Sequence, residues 1–434
     1  MRTIAFTTEL NLCSGCCVCV GVCPKDCIEW KFKDGFYQPE IDRDACISCG
    51  LCGKACPGLG HDFAELPERE AVKGAILFCR NAWSRDPAIR HVSASGGTVS
   101  VMVKSLLQKK IYDDAFLVDS YDYHGQLKTI PVTADDLKDV PASDYPKSRY
   151  LPVSHEDAIR YIRKNRDRKV IFVGTSCATR GIRKAVRSLS LEEKNYLYIG
   201  LFCDRVFQYN VMDYFQQSHV CEGKKLERLH FKNKESGGWP GNMKLFFADG
   251  STAYLDQAER AKAKDYFMPE RCLYCIDKLN VCADISVGDN YTGQNTSSLG
   301  SNSVIIRTES GLRAWITAEE CLESYEVPVD RIMEGQYIDW RLNNLQYGKI
   351  KEEEVRKRTG ETVVLNRNVS SERDMRDYSE RLKRGREMLF AGKIYDTNPD
   401  ALALQMKKSE KRENPGKLKS LLSRAGNHIK RQMR

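Results

Sequence analysis

Eight cysteines near the start of the chain form two copies of one spacing, C-x2-C-x2-C-x3-C followed by proline. This spacing is typical of bacterial ferredoxins with two 4Fe-4S clusters, in which the fourth cysteine of each copy binds the other cluster. A double zinc knuckle is the alternative, but zinc sites use paired C-x2-C motifs or added histidines. The two copies are Cys13, Cys16, Cys19 and Cys23, and Cys46, Cys49, Cys52 and Cys56.

The crossed ligation divides the eight cysteines into two predicted ligand sets. Ten of the 18 cysteines lie in this segment, and a disulfide scaffold is disfavoured because the chain is long and lacks signs of secretion. Cys17 and Cys27 fall outside the spacing and are interpreted as packed side chains. The predicted ligand sets are Cys13, Cys16, Cys19 and Cys56 for one 4Fe-4S cluster, and Cys46, Cys49, Cys52 and Cys23 for the other.

Composition and charge narrow the class of protein further. Hydrophobic residues make up 41% of the chain and charged residues 29%, which excludes wholesale disorder. No stretch approaches the roughly 20 apolar residues of a membrane span, and no secretory signal is evident, so a cytoplasmic location is expected. The net charge is +9, but residues 407–434 hold ten Lys and Arg against two Glu. The body is therefore near neutral, unlike a globally basic nucleic-acid binder.

The body of the chain repeats a strand–turn–helix pattern. Residues 71–80, 169–173 and 197–202 are predicted strands, and amphipathic helices follow the loops at 93–98 and 174–177. Alternating strands and helices indicate an α/β or mixed core. The first loop could bind a phosphate at a helix N-terminus, or it could be a Ser-capped helix start. The sequence has neither a G-x-G-x-x-G after a strand nor a P-loop.

A second group of cysteines lies in the body. Cys177 and Cys203 follow predicted strands, where sites in open sheets gather, and Cys272 and Cys275 form a C-x2-C loop. These four could converge on a third 4Fe-4S cluster. A structural zinc site, a thiol beside a flavin and simple packing remain open as alternatives. Core packing is the better interpretation for the cysteines without a spacing partner, which are Cys79, Cys221, Cys282 and Cys321.

Short motifs recur in a fixed order through the body. They are Ser93-Ala94-Ser95-Gly96-Gly97, Lys147-Ser148-Arg149-Tyr150, Phe172-Val173-Gly174-Thr175-Ser176-Cys177, Gly200-Leu201-Phe202-Cys203, Phe231-Lys232-Asn233-Lys234, Gly238-Trp239, Cys272-Leu273-Tyr274-Cys275, Ala283-Asp284-Ile285-Ser286-Val287-Gly288-Asp289 and Ser303-Val304-Ile305-Ile306-Arg307-Thr308. With these motifs, the chain resembles the coenzyme F-420 hydrogenase/dehydrogenase beta-subunit family from about Lys73 to Gly311. A two-cluster ferredoxin domain precedes the resemblance.

The resemblance implies an iron–sulfur flavoprotein. Family members bind FAD and pass electrons between clusters and a hydride donor or acceptor, often the deazaflavin coenzyme, and relatives reduce a chlorophyll derivative. A flavin is needed because clusters carry one electron at a time, whereas a hydride carries two. We expect the FAD pyrophosphate near the 93–97 loop. The cofactor-binding residues implied are Ser93, Ser95, Gly96, Gly97, Lys147, Arg149, Gly174, Thr175 and Asp289.

Three departures from the family pattern concern the site. Ser176 stands where the family usually has Pro, and Tyr291 stands where Trp is common. Some members have Cys-His-Gly where this chain has Cys203-Asp204-Arg205. Because the last two lie in the implied surroundings of flavin and substrate, the family's substrate is not carried over to this chain.

Beyond about Pro328 the resemblance fades into a helical extension. Ser371 and Asp374 form a capping box that predicts a helix to about Phe390, ending at 391–393. The basic tail from Lys407 could bind an acidic partner, an anionic surface or nucleic acid, or it could be solvated. With 61–67 as a linker, the predicted domains are a two-cluster ferredoxin domain at 1–62, a flavin-binding body in two parts at 70–150 and 151–328, and the extension at 329–434.

Together these features predict a mixed α/β or α+β fold and an oxidoreductase. A small ferredoxin-like domain would precede a mixed-sheet flavin-binding body and the helical extension. Electrons would pass between a redox partner protein or small carrier, the 4Fe-4S clusters, FAD and a small organic hydride donor or acceptor, such as coenzyme F-420. A non-catalytic electron-transfer subunit that docks a partner oxidoreductase is the alternative, and a zinc-bound interaction protein is a third class.

The duplicated spacing predicts about eight irons in the N-terminal segment. Replacing one ligand from each set, by Cys19→Ser or Cys52→Ser, should remove or convert one cluster and slow electron entry while flavin stays bound. Iron, sulfide and electron paramagnetic resonance spectra of anaerobically purified protein check this, with Cys17→Ser as the control outside the spacing. Zinc in place of iron would contradict the assignment.

Overall fold

The computed structural model describes most of the chain, and strands and helices alternate through its body. The described residues are 3–59, 68–119, 126–138, 140–141, 147–365 and 375–412. The strands are β1 Ile28–Lys33, β2 Phe36–Ile41, β3 Phe78–Ser84, β4 Asp114–Val118, β5 Thr129–Val132, β6 Val170–Gly174, β7 Tyr196–Leu201, β8 Leu226–Asn233, β9 Asn242–Phe247, β10 Thr252–Leu255, β11 Ile285–Asp289, β12 Asn302–Ile306 and β13 Leu322–Glu326. The mixed α/β class is confirmed.

The helices connect and flank these strands. They are α1 Ile4–Glu9, α2 Val18–Gly21, α3 Leu51–Ala55, α4 Glu68–Lys73, α5 Pro87–Val92, α6 Thr98–Gln108, α7 Glu156–Lys164, α8 Ser176–Ser188, α9 Val211–Gln216, α10 Gln257–Ala263, α11 Glu309–Ala318, α12 Val329–Gly335, α13 Ile338–Arg341, α14 Asn343–Thr359, α15 Met375–Lys393 and α16 Pro399–Arg412. Among the described residues, no helix is both long enough and apolar enough to cross a membrane.

An eight-stranded mixed sheet forms the centre of the body. Its order is β13-β3-β12-β11-β7-β6-β4-β5, and β4, β6, β7 and β11 run parallel. β12 is antiparallel to both β11 and β3, so β3 ends at the same edge as β6, β7 and β11. We call this edge the carboxyl edge. The backbone pairs Gly174↔Gly200 and Asp289↔Asn302 lie along it, and loops that follow different strands therefore meet there.

A smaller antiparallel sheet, in the order β10-β9-β8, lies beside the main sheet. Its apolar side contributes to a core rich in aromatic residues, where the rings of Phe207 and Phe231 stack with centroids 5.8 Å apart. The pairing of β8 with β9 shifts register between His230 and Asn233, the stretch that holds Lys232. This small sheet brings Lys232 to Asp289 at the carboxyl edge, and Lys234, which directly follows β8, to the 93–97 loop.

The N-terminal segment packs directly on the body through α7 and α8. Val18 and Val22 of this segment share one buried core with Ile159 and Ile182 of the two helices. A Cβ atom at Gly21 would lie 2.6 Å from Cβ of Ile159, so only glycine permits this contact distance. The backbone also joins the parts, because His155 N donates to the Cys16 carbonyl over 3.0 Å. The cysteine-rich segment is thus held against the carboxyl edge.

The predicted strand at 71–80 is wrong in its first half. Helix α4 continues to Lys73, and β3 begins only at Phe78. Gly74 has φ +69, a left-handed conformation that ends the helix, and the Arg307 guanidinium donates to the carbonyls of Lys73 and Ala75 at 2.8 Å each. Arg307, directly after β12, thus holds the turn between α4 and β3, and Gly74 after Lys73 is the sequence signal for the helix end that the strand prediction missed.

The helical extension packs into the body. Ile332, Met333 and Ile338 are buried against Val72 and Ile305 in a common core. The predicted helix from 372 to about 390 is observed as α15, which runs to Lys393. Its predicted capping residues Ser371 and Asp374, the linker at 61–67 and the tail beyond 412 lie outside the described residues. The domain boundaries at 62, 150 and 328 stay predictions.

This packing makes the extension a contributor to the stability of the whole body. Ile332→Ala should lower the free energy of unfolding by about 2–5 kcal/mol, because the side chain is fully buried. Urea denaturation followed by circular dichroism and tryptophan fluorescence measures the change. Ile316→Ala is the control, since Ile316 is 60% exposed and its loss should cost less than about 0.5 kcal/mol. Loss of the C-terminal helices alone, with the sheet intact, would contradict the prediction.

Candidate functional site

The first predicted ligand set comes together at the face of the N-terminal segment that meets the body. Burial and then the neighbouring thiols of Cys16, Cys13 and Cys56 raise the pKa of Cys19, which places all four close to one another. Backbone amides approach the sulfurs, with Gly15 N 3.4 Å from Cys13 Sγ. The second amide, Gly58 N, lies 3.3 Å from Cys56 Sγ. Amides directed at sulfur stabilise thiolate ligands and tune a cluster's potential.

The second predicted set lines a small cavity in the same segment. Cys23, Cys46, Cys49 and Cys52 all border it, between α3 and the start of β1. Cys27, which the spacing placed outside the pattern, also borders this cavity, with its sulfur 3.5 Å from that of Cys23. Interpreting Cys27 as a simple core residue missed this position, and only the fold reveals it.

Single-metal geometry is not found among these thiols. Across the residues that the structure describes, no three His, Cys, Asp or Glu side chains are arranged to hold one metal ion. A 4Fe-4S cluster spreads its four thiolates over four irons, whereas zinc draws four ligands onto one atom.

The four cysteines of the body also come together. Burial first, and then the thiols of Cys177, Cys272 and Cys275, raise the pKa of Cys203. Cys177 lies in the first turn of α8, and the Cys203 amide donates to the Lys278 carbonyl at 2.9 Å. Two strand ends and the turn at 270–274, with Cys275 directly after it, thus supply one group of thiols, and their ligation of a cluster stays a prediction.

Cys177 joins this group to the first ligand set. Its thiol, together with burial, raises the pKa of both Cys16 and Cys13. The three thiol groups therefore form a series, from the Cys46 cavity through the Cys13 set to the Cys203 group at the carboxyl edge. Such a series suits stepwise electron transfer between neighbouring centres.

The departure at Cys203-Asp204-Arg205 forms a buried charge cluster beside this group. Burial would raise the pKa of Asp204, but the guanidinium groups of Arg205 and Arg341 outweigh it and hold that pKa below its ordinary value. Arg341 donates to the Asp204 side chain at 3.0 Å and to its carbonyl at 2.7 Å. Asp204 and Arg205 thus fix α13 of the extension against the cysteine group, in place of the His and Gly found in some relatives.

The loop at 93–97 leads from α5 into α6 at the end of β3. Gly97 has φ +79 and is the N-cap residue of α6, without a side-chain cap. Ser93 instead closes the preceding helix, with its hydroxyl donating to the Ile89 carbonyl at 2.7 Å. The Ser-capped helix start is therefore wrong. A Cβ at Gly96 would lie 2.9 Å from the Ala82 carbonyl, so the loop runs flush against the strand.

Asp289, at the end of β11, lies beside this loop. Its carboxylate pairs with the buried ammonium of Lys232. Burial would raise the pKa of Asp289, but Lys232 and hydrogen bonds to the carboxylate lower it. Trp239 Nε1 and the Tyr291 hydroxyl lie 3.4 Å from its two oxygens. The ion pair of Lys232 and Asp289 therefore lies next to the 93–97 loop at the end of β11.

Lys232 is a functional candidate that the sequence interpretation missed. It stands in the motif Phe231-Lys232-Asn233-Lys234, to which no role was assigned. Period-two alternation was not a sufficient signal, because β8 ends at Asn233 and its register shifts between His230 and Asn233. Their proximity to Asp289 and Ser95 depends on how the small sheet packs against the large one, which no local pattern reveals.

The remaining residues that were predicted to bind the cofactor lie in two different regions of the fold. Lys147 and Arg149 lie near β8, where burial and then these two cations lower the pKa of His230 to about 3. Gly174 and Thr175 lie at the carboxyl edge beside the cysteine group, with Thr175 Oγ1 3.3 Å from Cys177 Sγ. One strand, β7, separates β6 from β11, so the predicted flavin residues extend along the edge rather than surround one point.

Comparison with known families agrees with this architecture. Models of the N-terminal and C-terminal parts of the coenzyme F420 hydrogenase/dehydrogenase beta subunit match residues 79–160 and 167–331, together more than half of the chain. The chain belongs to this beta-subunit family. A 4Fe-4S binding domain model matches residues 39–58, which hold the second cysteine copy. The resemblance read from the motifs is confirmed.

Relatives of this beta-subunit chain are distant. The coenzyme F420-dependent sulfite reductase of Methanocaldococcus jannaschii is 25% identical over 321 residues, which cover 70% of this chain and 45% of that protein. An uncharacterized protein of the same organism is 22% identical over 331 residues, covering 70% and 85%. A chain of the F420-reducing NiFe hydrogenase complex from Methanosarcina barkeri matches with 19% identity and a TM-score of 0.48, covering 68% of this chain and 97% of that one.

Proposed function

We propose that this beta-subunit-type chain is an iron–sulfur flavoprotein oxidoreductase that couples single-electron transfer to hydride transfer. The observation that carries the proposal is the Cys177, Cys203, Cys272 and Cys275 group, which lies at the carboxyl edge beside the ferredoxin-type cysteines. When bound, 4Fe-4S clusters transfer single electrons and FAD exchanges two of them for a hydride. The chain supplies positions for both kinds of cofactor in a continuous series.

The chain's own residues would hold these groups in distinct ways. The twelve cysteines provide three sets of four thiolates, of which the third set is part of the proposal. The 93–97 loop offers backbone amides and the N-terminus of α6 to a pyrophosphate, and Lys147 and Arg149 add positive charge nearby. Lys232 and Asp289 form a buried pair next to the loop, where they can orient a polar ring edge.

The two ends of the series suggest the partners. Cys46 and Cys49 are half-buried, whereas the cysteines of the first set are buried, so a redox partner protein or small carrier would exchange electrons there. At the other end, an organic hydride donor or acceptor would meet the flavin. Coenzyme F420 is the leading candidate because the sulfite reductase and hydrogenase relatives carry it in their names, and another reducible compound is the alternative. The basic tail from Lys407 would bind an acidic partner or an anionic surface.

Iron content tests the third cluster in the full chain. Anaerobically purified protein should contain about twelve irons, and Cys272→Ser should lower this to about eight while FAD remains bound. The reason is that loss of one thiolate opens the cluster in the body without touching the ferredoxin-type ligands. Iron, sulfide and Mössbauer spectra provide the measurement. Cys221→Ser is the control, because the Cys221 thiol contacts Ser218 and the Phe215 carbonyl and belongs to none of the three predicted ligand sets.

Eight irons in both wild type and Cys272→Ser would remove the third cluster from the proposal. A flavoprotein with two clusters would then remain.

Flavin content tests whether the 93–97 loop binds FAD. It also distinguishes a flavoenzyme from a non-catalytic electron-transfer subunit, which needs no flavin. Gly97→Val should release FAD, because the added side chain meets Ser93 Oγ at 3.0 Å and disfavours φ +79. Gly250→Val is a matched control, since Gly250 has the same φ but open space around it. Protein-bound flavin is measured by absorbance after release.

Full flavin occupancy in folded Gly97→Val would exclude the loop from the site. Wild-type protein that binds no flavin would instead favour the electron-transfer subunit.

A further inference from the structure

Lys234 is a buried lysine whose ammonium is surrounded by backbone carbonyls. Its side chain is 7% exposed, and Nζ donates to the carbonyls of Arg90, Ser95 and Leu299, the last two at 2.9 and 2.7 Å. These acceptors belong to three segments, namely the end of α5, the adjoining 93–97 loop and the turn before β12, of which the last is distant in sequence from the other two. An ammonium has three donors and no acceptor, so these contacts use its full capacity.

The same three segments are joined by further contacts. The Arg90 guanidinium donates to the Gly300 carbonyl at 2.9 Å and to Ser297 Oγ at 2.9 Å. Ser95 Oγ donates to the Ser301 carbonyl at 2.8 Å. Lys234, which directly follows β8, therefore holds the 93–97 loop and the turn before β12 together.

The orientation of the Ser95 carbonyl determines where the loop amides point. In a planar trans peptide the C=O and the following N–H point in opposite directions. Because the Ser95 carbonyl is bound to Lys234, the Gly96 N–H points away from Lys234. The Gly96 carbonyl accepts from Ser84 N at 2.8 Å, which likewise turns the Gly97 N–H away from β3. Within the described residues, neither amide has a recorded acceptor.

We infer that Lys234 is a positioning residue that turns the amide of Gly96 toward an anionic group of the bound cofactor, next to the Gly97 amide, which the bond from Ser84 N to the Gly96 carbonyl turns. The inference rests on the proposed function, in which the loop holds a flavin pyrophosphate. Since the three donors of Lys234 are taken by carbonyls, it acts through the backbone and not by contact with the anion. Successive outward N–H groups form the kind of concave site that binds phosphates.

A lysine suits this position better than an arginine. The tetrahedral ammonium can address three carbonyls around one point, whereas the planar guanidinium presents its donors in a fixed fork. Lys234→Arg should therefore restore only part of the function. Lys234→Met keeps the length of the side chain but removes every donor.

The test uses the full chain and compares the binding of FAD, which contains a pyrophosphate, with that of riboflavin, which does not. For Lys234→Met, the dissociation constant of FAD should rise about tenfold or more, while that of riboflavin changes less than about twofold. Lys234→Arg should give an intermediate value for FAD. Lys244→Met is the matched control, because Lys244 lies on the neighbouring strand but pairs with the Glu235 side chain. It should leave both constants unchanged.

Equal weakening of FAD and riboflavin, or no change in either, would overturn the inference. A merely structural lysine would affect both ligands together, because it would perturb the whole site. If wild-type protein bound no FAD, the flavin comparison would fail together with the proposed function.

Hydrogen exchange tests the positioning role of Lys234 independently of flavin binding. The Ser84 amide donates to the Gly96 carbonyl, so it reports whether the loop stays fixed. Lys234→Met should speed its exchange at least about tenfold relative to Lys244→Met, because the loop loses its anchor. Equal exchange in the two variants would reject the role of Lys234 whatever the flavin result.

Discussion

The apolar contact between the N-terminal segment and helices α7 and α8 is the constraint on which the site depends. Val18 and Val22 pack with Ile159 and Ile182, and Gly21 allows the backbones to approach. This contact fixes the first ligand set next to Cys177, because Cys177 begins the same helix that forms the interface. Without it, two thiol groups on different parts of the chain would have no defined separation, and electron transfer depends on that separation.

The mixed direction of the central sheet explains how so many elements reach one place. Parallel strands β6, β7 and β11 end at the carboxyl edge, and the antiparallel pair β12 and β3 brings the 93–97 loop to the same edge. The cysteine group occupies one part of this edge, and the Lys232–Asp289 pair marks the other. Sites in open sheets gather where such loops converge, so the arrangement follows from topology.

The buried charged side chains at this edge are stabilised by ion pairs and by hydrogen bonds to backbone carbonyls. Asp204 is held between two arginines, Asp289 by Lys232, and Lys234 by three carbonyls. Each of these groups would be costly to bury alone, since an unpaired charge loses its hydration. The pairs therefore keep the loops at the edge in one arrangement, and a preformed arrangement lowers the entropy lost on cofactor binding.

The sequence by itself determined the cysteine pattern, the family and the mixed α/β class, because each is written in local spacing or in ordered motifs. It also predicted that Cys177, Cys203, Cys272 and Cys275 meet, since two of them follow parallel strands. Only the tertiary structure decided that Cys177 adjoins the first ligand set, that Cys27 borders the second, and that Gly97 rather than a serine begins α6. It also decided that Lys232 pairs with Asp289, that Lys234 binds three carbonyls, and that β3 starts at Phe78. These features depend on contacts between residues far apart in sequence, which hydrophobic periodicity and ligand spacing do not encode.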